Sequence, residues 1–367
     1  MRVALVHDYL VQYGGAERVV EALLEAFPGA PLYTSIHDRG SFHGPLARAD
    51  VRTSFLQRLP LPAARRQRYL LPLYPFAFRR FDLRGFDLVI SSASSFAKAV
   101  RPPASTSHLC YCHAPTRFLW DFESYARGEG LSWPVRAGLR PLIRNLQRLD
   151  RDAAQRVTSF IANSREIAGQ IGTIYSRSSE VIHPPVDAAQ MPISGNSRGE
   201  FFLVVSRLVP AKRIDLAVAA FNVLGRPLVI VGEGRQRRLL EAQAGPTVRF
   251  VGRVSRERLI DYYARCSALV LPAKEDFGIA AVEAQACGRP VIAYAAGGAL
   301  ETVREGETGV LFTTQSLADI ADAVEASISR RFDPALIRAH ALRFDTAVFR
   351  SRIREAAVRH LGREATA

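Results

Sequence analysis

A chain of 367 residues exceeds the usual size of one hydrophobic core, so two domains are expected. Its 48% hydrophobic and 23% charged residues are ordinary for a globular protein, and no apolar run approaches the roughly 20 residues that span a bilayer. A net charge of +14 indicates an anionic partner: a phosphorylated ligand, an anionic lipid or nucleic acid.

The N-terminus, Met1-Arg-Val-Ala-Leu-Val-His-Asp8, lacks the long apolar region of a signal peptide and predicts the first strand of the fold. We therefore expect a cytoplasmic protein, either free or peripheral on the inner face of the plasma membrane. The cysteines lack the usual zinc-ligand spacing and predict buried free thiols. They are Cys110, Cys112, Cys266 and Cys287.

Strand-like and helix-like segments alternate along the chain, which is typical of an α/β protein with parallel sheets. In the first half the predicted strands are Val3–Asp8, Pro31–Ile36, Asp87–Ala93, His108–Ala114 and Ser159–Ser164. In the second half they are Phe201–Arg207, Pro227–Gly232, Thr247–Gly252, Ala268–Ala273, Pro290–Ala295 and Gly309–Thr313. The proline- and glycine-rich stretch 184–199 predicts a linker between two domains.

The first loop of interest carries Gly14 and Gly15 between the first predicted strand and a helix. Glycine permits a positive φ and a close approach of the backbone to a ligand. The helix N-terminus offers N–H groups and a partial positive charge, which suit a phosphate. An ordinary glycine turn before a helix explains this motif equally well.

Two cations follow the first predicted strand of the second half. Arg207 lies at the carboxyl end of that strand, and Lys212 is expected to start the next helix. Both side chains can then point into one crevice, where a diphosphate needs positive charge. A solvated helix start is the alternative interpretation of Lys212.

The most specific motif is the pair Glu275 and Glu283, which follows the predicted strand Ala268–Ala273. Glu275 is expected in a loop, and Glu283 on a helix that begins near Gly278. A carboxylate beside the free amides of a helix start predicts a site that binds sugar hydroxyls. The expected amides are those of Phe277, Gly278 and Ile279.

These segments resemble the family 4 retaining glycosyltransferases of the GT-B fold. The matching runs are Ser206–Arg213, Ile230–Arg235, Phe250–Val254, Leu271–Ile279, Glu283–Gly288 and Gly297–Glu301. The resemblance implies an acceptor-binding Rossmann-like domain over residues 1–189 and a nucleotide-sugar-binding one over 190–344. It implies that their parallel sheets face a central cleft and that a helix in 345–367 packs back on the first domain.

The resemblance also assigns roles. Glu275 would hold the hydroxyls of the donor sugar, Glu283 the ribose, and Arg207 with Lys212 the diphosphate. The remaining donor-binding residues would be Gly14, Gly15, Arg253, Val254, Phe277, Gly278 and Ile279, with the backbone of Arg253 and Val254 meeting the base. His113 resembles the family's active-site histidine near the anomeric carbon.

Acceptor contacts are expected from Tyr9, Arg117 and Asp121, although the last two could equally form a local ion pair. The run Cys112–Asp121 resembles a bacterial subgroup that includes mannosyltransferases using GDP-mannose. The expected reaction is the retaining transfer of mannose from GDP-mannose to a hydroxyl of a glycan or lipid-linked acceptor in surface polysaccharide assembly. Neither a cofactor nor a metal ion is expected, and nucleic acid is not the expected partner.

Two other motifs are interpreted as structural. Gly232-Glu-Gly234 begins like a dinucleotide fingerprint, but Arg237 replaces its third glycine. Asp150-Arg-Asp152 spells a metal-binding pattern, but on a helix residues two apart do not face each other.

Basic residues are concentrated in two regions of the first half. Eight arginines lie between Arg52 and Arg84, interleaved with aromatic residues, and a second group has four-residue spacing on a predicted helix. The second group is Arg136, Arg140, Arg144 and Arg148. We expect these residues to meet an anionic membrane, with Tyr74, Phe76 and Phe78 entering the interface. A solvated face remains an alternative for these residues. For the whole chain, the alternatives are a basic protein that binds nucleic acid or an anionic surface without transferase activity, and a sugar-nucleotide epimerase of the GT-B type.

Overall fold

The computed structural model describes residues 1–60, 70–193 and 199–364. The chain divides into two units, the first formed by Met1–Pro185 with Ala347–Ala367 and the second by Val186–Thr346. The first unit therefore takes up chain from both sides of the second. Within the described ranges, no helix has the length and apolar composition that a membrane span requires.

The first unit is built on a seven-stranded parallel sheet with the order β3-β2-β1-β4-β5-β6-β7. The strands are β1 (Val3–His7), β2 (Leu32–Thr34), β3 (Val51–Thr53), β4 (Leu88–Ala93), β5 (Ser107–Cys112), β6 (Ser159–Ala162) and β7 (Ser179–Val181). The described helices are Gly15–Ala26, Gly44–Arg48, Tyr74–Arg79, Arg117–Trp120, Phe122–Gly128, Trp133–Arg156, Arg165–Tyr175 and Thr346–Glu364.

Both faces of this sheet are covered, as a buried parallel sheet requires. Alternate residues of β1 enter different apolar clusters: Ala4 and Val6 join one, and Val3 and Leu5 join the other. The last helix contributes Phe349 and three further buried residues to the second cluster.

The second unit has a six-stranded parallel sheet with the order β10-β9-β8-β11-β12-β13. The strands are β8 (Phe201–Val205), β9 (Leu228–Val231), β10 (Val248–Gly252), β11 (Cys266–Leu271), β12 (Val291–Tyr294) and β13 (Gly309–Phe312). The described helices are Ile214–Leu224, Arg237–Gln243, Arg256–Arg265, Ile279–Ala286, Ala299–Thr302, Leu317–Ser329 and Pro334–Ala341.

Two parallel-sheet, Rossmann-like units confirm the predicted fold class, and every predicted strand corresponds to an observed one. Prediction missed β3 and β7, which are three-residue strands at the sheet edges with partly exposed side chains. Such strands carry too few apolar residues to produce a periodic signal. The four cysteines are buried and free, as predicted.

Strand order reverses direction once in each sheet. In the first sheet the reversal lies between β1 and β4, and in the second between β8 and β11. Open α/β sheets bind ligands at the carboxyl ends of the strands beside such a switch point. A ligand site in each unit is therefore expected on the loops that follow these four strands.

Candidate functional site

The switch point of the second sheet brings together a lysine and a glutamate. Lys212 follows β8, Glu275 follows β11, and Nζ of Lys212 donates to Oε2 of Glu275 across 2.5 Å. Both side chains are about one-fifth exposed, so the pair is sheltered without being sealed from a ligand. Two residues to which the family resemblance assigns different parts of a donor thus contact each other.

The cations after β8 differ from expectation in one respect. Lys212 does not start the next helix: it ends a short 3-10 turn, and the helix begins at Ile214. Arg213, between them, adopts a left-handed backbone conformation with φ 49°. Sequence patterns do not predict this conformation, because a non-glycine residue rarely adopts it. Arg207 is exposed, and its guanidinium has no hydrogen-bond or ion-pair partner among the described residues.

The loop that carries Glu275 is held by close backbone packing. The carbonyl of Glu275 accepts from the amide of Gly298 at 2.8 Å. A Cβ added to Gly298 would lie 2.3 Å from Cα of Phe277, so only glycine fits there. Gly278, at φ 91°, starts the helix Ile279–Ala286 as predicted. The amides of Gly278 and Ile279 donate no hydrogen bond within the described ranges, whereas the Phe277 side chain is buried.

Glu283 is almost fully buried on that helix and is already engaged. Its Oε2 accepts from the hydroxyl of Tyr263 at 2.8 Å, and Oε1 forms an ion pair with Arg256. Tyr263 and Arg256 both belong to the helix Arg256–Arg265, which follows β10. Sequence reasoning missed both residues, because a tyrosine and an arginine on an amphipathic helix carry no distinctive pattern.

The expected base-binding segment follows β10. Arg253 is exposed and Val254 is half-buried against the apolar cluster of the second unit. Gly252 precedes them with φ 74°, and its carbonyl accepts from the amide of Gly232 at 2.9 Å.

The Gly232-Glu-Gly234 motif serves this backbone packing. A Cβ at Gly232 would lie 1.9 Å from the carbonyl oxygen of Ser206, and one at Gly234 would lie 2.2 Å from that of Leu208. These glycines therefore allow the loops after β8 and β9 to touch.

In the first unit, the glycine loop does not use the conformational freedom that we predicted for it. Gly14 is extended, with φ −155°, and Gly15 is the first residue of the helix Gly15–Ala26. Neither residue has a positive φ. A Cβ on Gly14 would lie 3.2 Å from Oε2 of Glu17, so the missing side chain leaves room for this buried carboxylate.

His113 lies directly after β5, and its Nε2 is 2.7 Å from Oγ of Ser92 on β4. Its carbonyl accepts from the Asn163 side chain at 2.9 Å, which fixes the backbone there. Burial and the nearby charge of His7 lower the pKa of His113 to about 3, so its imidazole is neutral.

The expected acceptor residues are spread along the loops of the first unit. Tyr9 follows β1, is half-buried and lies 6.5 Å from the Tyr74 ring, centroid to centroid. Arg117 is the exposed first residue of the helix Arg117–Trp120, and Asp121 follows that helix. The acceptor contacts of Arg117 and Asp121, and the alternative of a local ion pair between them, stay predictions.

The aspartate pattern at Asp150 has a structural explanation. Asp150 is buried and forms an ion pair with Lys98 at 2.6 Å, whereas Asp152 is exposed on the same helix. The two carboxylates therefore do not converge, as the helix argument predicted. No group of three or more His, Cys, Asp or Glu side chains suited to a metal ion occurs in the described part of the chain.

The predicted membrane patch is corrected in part. Arg65, Arg66 and Arg68 lie outside the described residues. Tyr74 and Phe78 are fully buried in the apolar core, because the short helix Tyr74–Arg79 turns them inward, and only Phe76 of the three aromatic residues is exposed.

The four predicted arginines on the helix Trp133–Arg156 differ in whether they form ion pairs. Arg136 and Arg140 form ion pairs with Glu123, at 3.4 and 2.9 Å, while Arg144 and Arg148 are exposed without a partner in the described ranges.

Two family models match this chain, one in each half. Residues 13–190 match the family model Glycosyltransferase Family 4, and residues 188–340 match the model Glycosyl transferases group 1. D-inositol 3-phosphate glycosyltransferase from Kribbella flavida is 31% identical over 211 residues, which cover 48% of this chain and 48% of that protein. The match spans about half the length of such curated relatives.

Solved structures resemble the whole chain. Sucrose-phosphate synthase from Thermosynechococcus elongatus has a TM-score of 0.75 at 18% identity, covering 98% of this chain and 99% of that one. HepE from Anabaena, solved in complex with UDP-glucose, has a TM-score of 0.71 at 19% identity, covering 98% and 100%. At such identities the likeness shows a shared fold, GT-B.

Proposed function

We propose that this chain, which belongs to the family 4 glycosyltransferases of the GT-B fold, transfers a sugar from a nucleoside diphosphate sugar to a hydroxyl group. The observation that carries the proposal is the contact of Lys212 with Glu275 at the switch point of the second sheet. A cation and a carboxylate at one point match the two parts of such a donor, its anionic diphosphate and its sugar hydroxyls.

The diphosphate would bind on the loop after β8. Arg207 offers an exposed guanidinium that is unpaired within the described part of the chain, and Lys212 can release Glu275 when a more highly charged anion arrives. The helix that starts at Ile279 adds a partial positive charge, and the amides of Gly278 and Ile279 donate no hydrogen bond within the described ranges. These groups would stabilise the charge that develops on the leaving diphosphate, which is the main source of catalysis proposed here.

Glu275 and Glu283 would bind the sugar and the ribose. On release from Lys212, the Glu275 carboxylate could accept from donor-sugar hydroxyls. Glu283 is less adaptable because Tyr263 and Arg256 already hold its two oxygens. A carboxylate oxygen can accept more than one hydrogen bond, so we propose that Glu283 accepts from ribose hydroxyls while Tyr263 and Arg256 keep it in place. Arg253 and Val254 would contact the base through their backbone.

We infer retention at the anomeric carbon without an enzymic nucleophile. The leaving phosphate would take the acceptor's proton on the same face of the sugar. Two cations at the diphosphate make a metal ion unnecessary in this scheme. Activity should therefore persist in excess chelator, and loss of activity there would contradict the metal-free part of the proposal.

The identity of the donor is a finer proposal. The run around His113 supports GDP-mannose, whereas the structural relative HepE was solved with UDP-glucose. We propose GDP-mannose as the first donor to test. The acceptor would be a glycan or a lipid-linked sugar in surface polysaccharide assembly, and Tyr9, Arg117 and Asp121 would contact it.

We also propose contact with an anionic membrane through the arginines of the first unit. Exposed Phe76, Arg144 and Arg148 support this contact. Co-sedimentation with anionic vesicles should be strong at low salt and weak at high salt, because exposed charges are screened over about 8–10 Å at physiological ionic strength. Binding that ignores lipid charge would contradict it.

The deciding experiment is a panel of nucleoside diphosphate sugars, including GDP-mannose and UDP-glucose, incubated with the purified full chain and candidate acceptors. Product is detected by mass spectrometry, and its anomeric configuration by NMR. Lys212→Ala should lower turnover more than tenfold, because it removes a charge-assisted contact of roughly 1.5–3 kcal/mol.

Arg226→Ala is the matched control. Arg226 precedes β9 at the opposite end of the same sheet and pairs with Glu325 on the surface. If no donor is consumed and no nucleoside diphosphate raises the melting temperature, the transferase proposal fails. Epimerised donor without acceptor would instead favour the epimerase.

A further inference from the structure

A chain of four buried or half-buried polar side chains runs across the first unit at its own switch point. Oε1 of Glu17 lies 3.6 Å from Nε2 of His7, and Nδ1 of His7 lies 3.2 Å from Oγ of Ser92. Oγ of Ser92 then lies 2.7 Å from Nε2 of His113. The four residues come from β1, β4, the end of β5 and the helix Gly15–Ala26.

The direction of the hydrogen bonds can be worked out from the acceptors. Nδ1 of His7 is also 3.2 Å from the backbone carbonyl of Ser92, and a carbonyl can only accept. Nδ1 of His7 therefore carries a hydrogen. Its Nε2 faces the Glu17 carboxylate, which is also an acceptor. Both nitrogens of His7 thus meet acceptors, and this arrangement suits the imidazolium.

The charges around His7 agree with that assignment. Burial disfavours a charged imidazole, but the Glu17 carboxylate and the nearby Asp8 outweigh burial and raise the pKa of His7. The Tyr111 ring, whose centroid is 5.2 Å from that of His113, adds no charge, because burial raises its pKa well above the ordinary value. Of the two histidines, His7 is therefore the one whose surroundings favour the protonated form.

The contact with Ser92 determines which nitrogen of His113 carries the hydrogen. The Ser92 hydroxyl can accept from His7 and donate its own hydrogen to Nε2 of His113, across the short 2.7 Å contact. Nε2 of His113 must then hold a lone pair, and the ring hydrogen must be on Nδ1. Among the described residues, no side chain or backbone group takes a hydrogen bond from that Nδ1.

We propose that Glu17, His7 and Ser92 are positioning residues that hold His113 as the neutral tautomer with its hydrogen on Nδ1, so that His113 serves as a hydrogen-bond donor to a substrate oxygen and not as a general base. The identity of the substrate rests on the proposed function, but the tautomer does not. The protonated form is favoured on His7, which faces the Glu17 carboxylate and is separated from His113 by the Ser92 hydroxyl.

The first test needs neither donor nor acceptor. The full chain is labelled with ¹⁵N-histidine, and long-range ¹H–¹⁵N spectra are recorded from pH 5 to pH 8. The sequence has eight histidines, and the signals of His113 and His7 are assigned by their loss in His113→Asn and His7→Asn. We expect His113 to be neutral and protonated on Nδ1 throughout. A hydrogen on Nε2, or titration of His113 in this range, would overturn the proposal.

Ser92→Ala tests the relay, and the sheet supplies a matched control. Ser91, the preceding residue of β4, is buried and pairs with His108 of β5 at 2.8 Å, the same kind of contact one residue earlier. Ser92→Ala should change the tautomer pattern of His113, and Ser92→Thr, which keeps a hydroxyl, should retain it. Ser91→Ala should leave His113 as it is. An unchanged pattern in Ser92→Ala, or equal changes in both alanine variants, would contradict the relay.

Activity provides a second measurement. In the donor panel, Ser92→Ala should lower turnover about tenfold through loss of one oriented hydrogen bond, and Ser91→Ala should not. If no donor is turned over by the wild type, the proposed function fails while the spectra still decide the tautomer. If the wild type is active and Ser92→Ala turns over at its rate, the positioning role is wrong although the transferase stands.

Discussion

The buried ion pair between Lys98 and Asp150 is stabilised by hydrogen bonds from neighbouring side chains. The Lys98 ammonium and the Asp150 carboxylate are 2.6 Å apart, and both side chains are essentially inaccessible to solvent. Thr116, Trp120 and Tyr175 donate to the remaining lone pairs of the carboxylate, at 2.7–2.9 Å. Every polar atom of the pair is thereby satisfied, and this requirement explains why a lysine can lie in an apolar core.

Removing one member of that pair should therefore be severe. Asp150→Asn leaves the Lys98 ammonium buried beside a neutral amide, and we expect the free energy of unfolding to fall by about 3–5 kcal/mol. Denaturant titration measures it. Asp152→Asn is the control, because Asp152 is exposed two residues away on the same helix, and its effect should stay within about 0.5 kcal/mol. Equal effects of the two variants would refute this account.

Buried neutral histidines should make the protein sensitive to acid. Burial, with nearby arginines, lowers the pKa of His108 to about 3 and that of His340 to about 4. Between those values and about 6.5, the unfolded chain binds protons that the folded chain does not, so stability falls as the pH falls. His7, whose pKa is raised, acts in the opposite direction, but it is one residue against four when His113 and His37, whose pKa values are also lowered, are included.

His108→Gln tests this sign. The free energy of unfolding of the first unit is measured from pH 7 to pH 5, where each neutral buried imidazole contributes a slope approaching about 1.4 kcal/mol per pH unit. The variant should lose about that much of the slope. A slope unchanged by the substitution would show that His108 does not titrate differently in the two states.

At the scale of elements, loops that carry the candidate site are fixed by backbone packing against glycine. The segment from Glu275 to Gly278 lies against Gly297 and Gly298, where any added Cβ would meet backbone atoms at 2.2–2.3 Å. The position of the Glu275 carboxylate therefore depends on a loop from another strand, the one that follows β12. Preorganisation of this kind is what a site needs to hold a ligand in one geometry.

Gly298→Ala should disturb that geometry without breaking the sheet. Its own backbone, at φ −63°, tolerates alanine, so the effect must come from displacement of the Phe277 backbone. We expect donor affinity and turnover to fall at least tenfold if the loop moves by about 1 Å. Gly138→Ala is the control: its Cβ meets nothing within 4 Å on an exposed helix position, and it should slightly stabilise the chain. Wild-type kinetics in Gly298→Ala would contradict the packing argument.

Sequence patterns predicted some parts of this fold and missed others, for physical reasons. The buried strands and the loops after them were predictable, because apolar runs bounded by glycine and charged residues leave a clear local signal. The contact partner of each side chain could not be predicted in the same way. Nothing local shows that Lys212 meets Glu275, or that Arg256 and Tyr263 hold Glu283, since those contacts depend on strand order and loop packing. The extended backbone of Gly14 beside the Glu17 carboxylate had no local signal either.

At the scale of the whole molecule, the last helix completes the first unit. Phe349 of the helix Thr346–Glu364 is buried, with its ring centroid 5.7 Å from that of Tyr111 on β5. Arg352 and Arg354 donate to the carbonyls of Val181 and Ala26, at 2.8 Å each. The helix is therefore part of the core of the first unit and not a surface appendage.

Phe349→Ala should destabilise the first unit by about 3–5 kcal/mol, because it removes a large buried side chain and leaves a cavity. Val358→Ala on the same helix is the control, since Val358 is 64% exposed. Thermal unfolding followed by tryptophan fluorescence reports on the first unit, where Trp120 and Trp133 both lie. Similar melting temperatures for the two variants would show that the helix is dispensable.

The order of the units along the chain affects how the first unit folds during synthesis on the ribosome. The helix that seals the first unit is synthesised only after all of Val186–Thr346. At roughly 5–20 residues per second, the first sheet waits on the order of ten to thirty seconds with the apolar surface beside Leu5 and Tyr111 uncovered. Nascent chains of this protein should therefore engage a holding chaperone during that interval, and release should follow emergence of the C-terminal helix from the exit tunnel.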